Sequence, residues 1–180
     1  MEKRRVVITG MGAIAPNGIG MENYWNSLVR GQSGISRVTY FDPSSYPSQV
    51  AGEVKEFDPK NYMTAKSARR MDRFCQFAVA CAREALDDAK IEISEKNCDR
   101  IGIALGSALG GTPTAEDQHS VFLEKGLRRV DPLLATKIFL GGATSQVSIE
   151  LGIKGHSNTI AGACAAGTDR ACWAQKGILA

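Results

Sequence analysis

Hydrophobic and polar positions alternate along this chain in two periods, and the switches between them divide it into elements. Arg5 to Thr9 is a β-branched run stopped by Gly10, which predicts a first buried strand. Met21 to Arg30 carries Trp25, Leu28 and Val29 on one side and ends at Gly31, a short amphipathic helix. The stretch from 31 to about 60 is turn-rich, with Pro43, Pro47 and Gly52. It predicts short strands at Ile35–Val38 and Val50–Val54, in an excursion outside the main sheet. Ala65 to Lys90 repeats Met71, Phe74, Phe77, Ala78, Cys81, Ala85 and Leu86 at three- or four-residue spacing, which predicts one long helix. Arg100 to Leu105 reads as a glycine-bearing buried strand, and Gly106 to Gly111 as a loop. Thr114–Lys125 and Gly141–Leu151 read as helices, with an apolar loop and helix start from Val130 to Phe139 between them. His156 to Ile160 is a further strand.

The stretch after that strand carries the most chemical information. Ala161 to Gly167 is built from Ala, Gly and one cysteine, Cys164, and a helical pattern follows. The expectation is a strand, a tight turn holding Cys164, and a helix starting just after it. Unpaired N–H groups at a helix start favour a thiolate, and small neighbours such as Ala163 leave room for an acyl group over the sulfur. A free cysteine packed as a small hydrophobe is the alternative that the residues alone leave open.

Composition adds limits. The formal charge is +3, from 22 basic and 19 acidic residues, and Lys3-Arg4-Arg5 has no aromatic interleaving, so a nucleic-acid surface is not expected. No apolar run is long enough to cross a bilayer and no apolar leader follows Met1, so a cytoplasmic protein without membrane association is expected. The five cysteines include no C-x-x-C pair, and neither His119 nor His156 has a partner at zinc spacing, so no metal is expected. Gly10-x-Gly12 leads into Pro16-Asn17-Gly18 rather than a helix, so the dinucleotide fingerprint is incomplete and no cofactor is expected.

Taken in order, Val6-Val7-Ile8-Thr9-Gly10-Met11-Gly12, Pro16-Asn17-Gly18, Trp25, Gly31-Gln32-Ser33-Gly34-Ile35, Arg69-Arg70-Met71-Asp72-Arg73-Phe74, Gly106-Ser107-Ala108-Leu109-Gly110-Gly111 and the Cys164 segment closely resemble the N-terminal half of an elongating β-ketoacyl-acyl-carrier-protein synthase. The resemblance covers essentially all 180 residues. It implies an α/β fold, the N-terminal half of the thiolase-like fold, with a mixed sheet layered with helices. Residues 1–180 would then be one N-terminal domain lacking a C-terminal half and ending inside the helix after the nucleophile.

The resemblance also implies chemistry. Cys164 would accept an acyl group from an acyl-carrier-protein thioester and pass it to the carbanion left when malonyl-acyl-carrier protein loses carbon dioxide. Leu109, Gly110, Ala163 and Phe139 would border the acyl chain, with Phe139 reaching a neighbour's tunnel at the subunit interface. Arg69 and Arg73 would lie toward the dimer or carrier-protein side. Partners would be acyl-carrier protein and its acyl and malonyl thioesters, a second copy of the chain, and a complementing C-terminal half. The family's catalytic histidines and lysine come from that second half, so the chain alone is expected to be inactive in condensation. A polyketide-type ketosynthase fragment, a non-catalytic partner-binding half and a thiolase-like enzyme are the alternatives. Three departures stand out: His156 where a proline is common, and Arg170 and Cys172 on a helix expected to be largely buried. An arginine there must reach solvent or find an anion.

Overall fold

In the computed structural model, residues 5–179 are described. Two short strands, β1 (Ile14–Ala15) and β2 (Gly18–Ile19), form an antiparallel hairpin around Pro16-Asn17, and α1 (Met21–Val29) follows. The excursion holds a second antiparallel pair, β3 (Ile35–Arg37) and β4 (Val50–Gly52), in register Ile35 to Gly52. Next come α2 (Ala65–Arg70), α3 (Arg73–Ala89), β5 (Ile103–Ser107), α4 (Thr112–Lys125), α5 (Leu134–Ile138) and α6 (Gly142–Leu151). The strand β6 (Ser157–Ala161) then pairs in parallel with β5, and α7 (Ala166–Leu179) follows a single 3-10 turn at Ala163–Ala165. Parallel and antiparallel β-structure layered with helices is the fold class the sequence led us to expect.

The core lies between α3 and α6, the most closely packed pair of elements. Cys75 and Val79 on α3 are fully buried against Ala143 and Val147 on α6, with Met63, Met71 and Ile153 closing the cluster. Burial of each such aliphatic side chain is worth about 1.5–3 kcal/mol. Gly142 packs closely on α5, where a Cβ would lie 3.0 Å from the Thr136 carbonyl, while toward the Cys75 sulfur it would stand at an ordinary contact distance of 3.6 Å. Cys75 and Cys98 are buried packing residues.

Two expectations fail, each for a physical reason. The run Arg5–Thr9 is not a strand, and Ile8 is 83% exposed. A β-branched run becomes a strand only where an edge accepts it, and among the described residues β5 pairs with β6 alone. The helix expected over Ala65–Lys90 is broken at Met71-Asp72. Met71 is extended, and the buried Asp72 caps α3 by accepting the Phe74 N–H at 3.0 Å while also accepting the Thr114 hydroxyl of α4. Smaller shifts follow from caps and contacts. The strand expected to end at Leu105 extends to Ser107, and α4 begins two residues early, with Pro113 in its first turn, where its missing N–H costs nothing.

The excursion is fastened from both sides. Glu53, buried on β4's flank, accepts the Thr39 N–H at 2.8 Å, the Thr39 hydroxyl at 2.7 Å and the Tyr40 N–H at 3.2 Å. These donors, the Thr39 N–H foremost, hold its carboxyl below the usual value. Arg73 turns inward, donating to the Val54 carbonyl and lying 5.0 Å from the Phe77 ring centroid and 5.7 Å from that of Phe57. It therefore serves packing rather than a partner-facing surface, whereas Arg69 is exposed.

On the other side Glu84 joins three segments. It accepts the Ala13 N–H at 3.1 Å and the Tyr62 hydroxyl at 2.9 Å. Burial, then the Glu84 carboxylate, push Tyr62 up to about 12, and burial likewise pushes Cys75 up to about 12. Both groups are neutral in the folded chain over a range where they ionise when unfolded. Their contribution is complete below the ordinary thiol and phenol values and is lost as pH rises through about 12. Stability measured by urea denaturation should fall on the alkaline side, and Tyr62→Phe should flatten that fall while costing about 0.5–1.5 kcal/mol at pH 8 for the lost hydrogen bond. An unchanged alkaline slope in the variant would exclude this role for Tyr62.

Candidate active site

The site is assembled at the carboxyl ends of the two parallel strands. Register pairs Ser107 with Ala161, so the loop after β5 and the turn after β6 leave the sheet side by side. In open α/β sheets this end is where ligands bind. The first loop carries Leu109 and Gly110, and the second carries Ala163 and Cys164.

Close packing sets the turn. A Cβ at Gly106 would lie 2.4 Å from the Ala166 carbonyl, so the missing side chain lets α7 rest directly on β5. Between the end of β6 at Ala161 and the start of α7 at Ala166 there are four residues in which to reverse direction. Ala163 accommodates this with φ 46°, a left-handed conformation that costs a non-glycine residue about 1–2 kcal/mol. Cys164 stands on this bend and is exposed. The turn's hydrogen bonds run from the Ala165 N–H to the Gly162 carbonyl at 3.1 Å and from the Ala166 N–H to the Ala163 carbonyl. The N–H groups of Ala163 and Cys164 lie ahead of these first bonded donors.

The first loop leans on the segment that ends α5. Gly110 has φ 58°, donates its N–H to the Ser107 hydroxyl at 3.3 Å, and sits where a Cβ would be 3.0 Å from the Leu140 side chain. Gly111 packs likewise on the Lys137 carbonyl. Leu109 projects from this loop, 74% exposed. Phe139, 63% exposed, lies against Gly141 and forms one wall of a groove of about 580 Å³ beside β6. Its other lining includes Thr144, Ser148, Ile149, Asn158 and Ala161. The groove stops at Ala161, so the Cys164 sulfur stands beyond its end.

Of the expected site residues, Cys164 and Ala163 share one turn, Leu109 and Gly110 share the neighbouring loop, and Phe139 borders the groove behind both. Sequence reading missed the contact of Gly106 with Ala166 and the hydroxyl pair Thr144–Thr159, which ties α6 to β6. The small polar series Thr144, Ser145, Ser148 was the available signal. Neither histidine reaches the thiol's surroundings by way of its element. His119 is exposed on α4 and stacks on Phe122. His156 precedes β6, whose length at about 3.3 Å per residue puts roughly 16 Å between it and the Cys164 end. Among the described residues no three His, Cys, Asp or Glu side chains gather to hold a metal ion, and no helix is long and apolar enough to cross a membrane.

An exposed cysteine on a strand–turn–helix bend, at the carboxyl end of a parallel pair, defines a class: α/β proteins that present a nucleophile on a strained elbow. Within that class the chain belongs to the family described as "Beta-ketoacyl synthase, N-terminal domain", whose profile matches residues 3–176. It is 43% identical over 169 residues to a 3-oxoacyl-(acyl-carrier-protein) synthase 2 of Synechocystis sp., covering 94% of this chain and 41% of that protein. It is 44% identical over 168 residues to the synthase of the same name from Staphylococcus aureus, covering 93% of this chain and 41% of that protein. The solved structure described as "The ishigamide ketosynthase/chain length factor" superposes with a TM-score of 0.85 at 30% identity, over 99% of this chain and 46% of that one. The architecture is thus an N-terminal thiolase-like half-fold, and the chain spans about two fifths of the length of the curated relatives it matches.

The Gly106 contact generates a sharp expectation. Gly106→Ala must push α7 from β5 and displace the bend, so it should lower the melting temperature by several degrees and slow iodoacetamide labelling of Cys164, read by peptide mass. Ala163→Gly should leave stability unchanged or raise it, since glycine adopts the left-handed conformation freely. A Gly106→Ala chain with wild-type melting and labelling would show that the contact does not hold the bend.

Proposed function

We propose that this chain is the nucleophile-bearing part of a 3-oxoacyl-acyl-carrier-protein synthase, one domain with residues 31–60 as an excursion, and that it carries the growing acyl group on Cys164. The single observation behind this reading is the exposed thiol on the Ala163 bend, with two backbone N–H groups ahead of the first helical bond. In the first half-reaction the thiolate attacks the thioester carbonyl of an acyl-acyl-carrier protein. A new C–S bond forms at Cys164, and the carrier's thiol leaves with a proton. In the second, malonyl-acyl-carrier protein loses carbon dioxide, its carbanion attacks the acyl-cysteine, and Cys164 is released as thiolate. Leu109, Gly110 and Ala163 would border the acyl chain, and Phe139 would line a tunnel shared with a second copy.

Two features support a division of labour. Both histidines lie away from the bend, so among the described residues no histidine stands at the thiol to assist decarboxylation, which supports assigning that step to a complementing C-terminal part. The outer edge of β6 carries no further strand among the described residues and has the Phe139 groove beside it, which supports a homodimer built by pairing of β6 with its copy. The name of the relatives, 3-oxoacyl-(acyl-carrier-protein) synthase, supports the carrier-protein partner, and a cytoplasmic location accords with that chemistry.

Intact-mass spectrometry after incubation with octanoyl-acyl-carrier protein tests the reading. One octanoyl adduct is expected, absent from Cys164→Ala, with no 3-oxoacyl product when malonyl-acyl-carrier protein is added to this chain alone. An adduct that survives in Cys164→Ala, or none in the wild type, would overturn it.

A further inference from the structure

His156 stands far from the thiol of its own copy, but the outer edge of β6 brings it to another. The Ile103 N–H donates to the His156 carbonyl at 2.9 Å, and β5 and β6 pair in parallel from Ser157 to Ala161. Along a strand, successive residues turn their N–H and C=O groups to opposite sides. His156, Asn158 and Ile160 therefore bond inward to β5, and Ser157, Thr159 and Ala161 present theirs on the outer edge. That row is closed at both ends. Gly155 already donates its N–H to the Cys98 and Ile101 carbonyls, and Ala163 leaves the extended conformation at φ 46°. Phe139 and Ile149, both exposed, line the groove beside this edge.

Two identical edges that close on each other do so about a two-fold axis, with the strands antiparallel. With Thr159 opposite itself, Ser157 faces Ala161 and every group of the row is bonded. A slip of two residues either way leaves one of the three unbonded in each copy, and a slip of one sets outward groups against inward ones. In the full register His156 of one copy opposes Gly162 of the other as a non-hydrogen-bonded pair, with Cα atoms about 4.5 Å apart. Alternation puts both on the face that carries α7, where a Cβ at Gly162 would lie 3.3 Å from the Asp169 carboxylate. Gly162 has no side chain to occupy that place, and both His156 and Asp169 are exposed.

We propose that two copies of this chain pair through β6 with Thr159 on the two-fold axis, and that His156 of each hydrogen-bonds the Asp169 carboxylate of the other, beside the Cys164 bend. The occupant of the edge is a second copy because the edge is self-complementary. It carries a donor side chain at its start and an acceptor over a side-chain-free position at its end, and antiparallel pairing of two copies brings start against end. An unrelated strand would satisfy the backbone row and leave Asp169 unmet. A neutral imidazole keeps one N–H and an imidazolium two, so the bond to a carboxylate forms in either state. Asp169 lies in the first turn of α7, so the crossing bond ties the turn that carries one copy's thiol to the strand end of the other. His156 is thus a positioning residue supplied in trans. This inference rests on the homodimer reading above and adds to it the register and the residue that crosses.

Disulfide trapping in the full chain tests the register. On a Cys164→Ala background, His156→Cys with Gly162→Cys should give, on mild oxidation, a covalent dimer whose peptide masses join positions 156 and 162, since that Cα separation suits a disulfide. The slipped pairs, His156→Cys with Ile160→Cys and Asn158→Cys with Gly162→Cys, should each link at least about tenfold more slowly. A slipped pair that links faster would overturn the register. Sedimentation equilibrium tests the crossing bond. His156→Leu and Asp169→Ala should each raise the dimer dissociation constant at least about tenfold, the double variant no further, and His156→Gln, which keeps an N–H donor, should recover most of the loss. Additive losses, or His156→Gln as weak as His156→Leu, would overturn the pair. Because Gly162→Cys crowds Ala166, this series on exposed side chains keeps the question decidable if that variant does not fold. A wild type that stays monomeric at its highest soluble concentration would overturn the dimer itself, while the octanoyl adduct at Cys164 still reports acyl transfer separately.

Discussion

The approach of α7 to β5 at Gly106 is the constraint on which the rest of the site depends. With 2.4 Å between the position of a Cβ and the Ala166 carbonyl, any side chain there would lift the helix. Because the helix is held down, the chain must turn within four residues after β6. The turn forces Ala163 into a left-handed conformation, and that conformation raises Cys164 clear of the sheet. Strain at the bend is small beside the packing that imposes it. A cost of about 1–2 kcal/mol is tolerated because parallel pairing on one side and the helix contact on the other over-determine the path.

The neighbouring loop depends on a second anchor, Asp72. Its carboxylate caps α3 and accepts the Thr114 hydroxyl, so the start of the core helix is tied to the first turn of α4. Gly111 sits 3.1 Å from the same carboxylate by its Cβ position, so the Leu109–Gly110 loop is fixed at its far end by the core. Breaking the long helix at Met71-Asp72 is what frees that carboxylate to point at α4. The two loops of the site are therefore set by different parts of the fold, one by the sheet and one by the α3–α6 core.

These dependences explain what could be read from the residues and what could not. The helical period from Phe74 to Cys81, the small-residue pattern around Cys164 and the excursion strands all report local preferences and appear, although the fully buried line of α3 runs through Cys75, Val79 and Ala80 and the excursion strands are shorter than expected, Ile35–Arg37 and Val50–Gly52. The break at Asp72 was illegible because its second partner, Thr114, lies 42 residues away. Arg5–Thr9 has the composition of a strand, but pairing is a property of two segments, and no edge receives it among the described residues. Ala163 gave no warning either, because positive φ is announced by glycine and here an alanine is forced into it. Arg73 was expected toward the dimer or carrier-protein side because its aromatic partners, Phe57 and Phe77, are brought to it only by the fold.

The same reasoning bears on what this chain contributes to a pocket. Leu109 and Phe139 have the chemistry of acyl-pocket walls, yet each is mostly exposed, and the groove at Phe139 ends short of the sulfur. An apolar wall sorts chain lengths only when an opposing wall excludes water from the space between. Here the opposing wall is absent from the described residues, while a strand edge lies open on each side of the β5–β6 pair. Nucleophile position is thus a property of this chain's own packing, fixed by Gly106, Ala166 and the bend. Pocket depth is a property of whatever closes over Leu109 and Phe139. Residues of the first kind tolerate little change in volume, whereas residues of the second kind can vary with the partner surface and leave the elbow undisturbed.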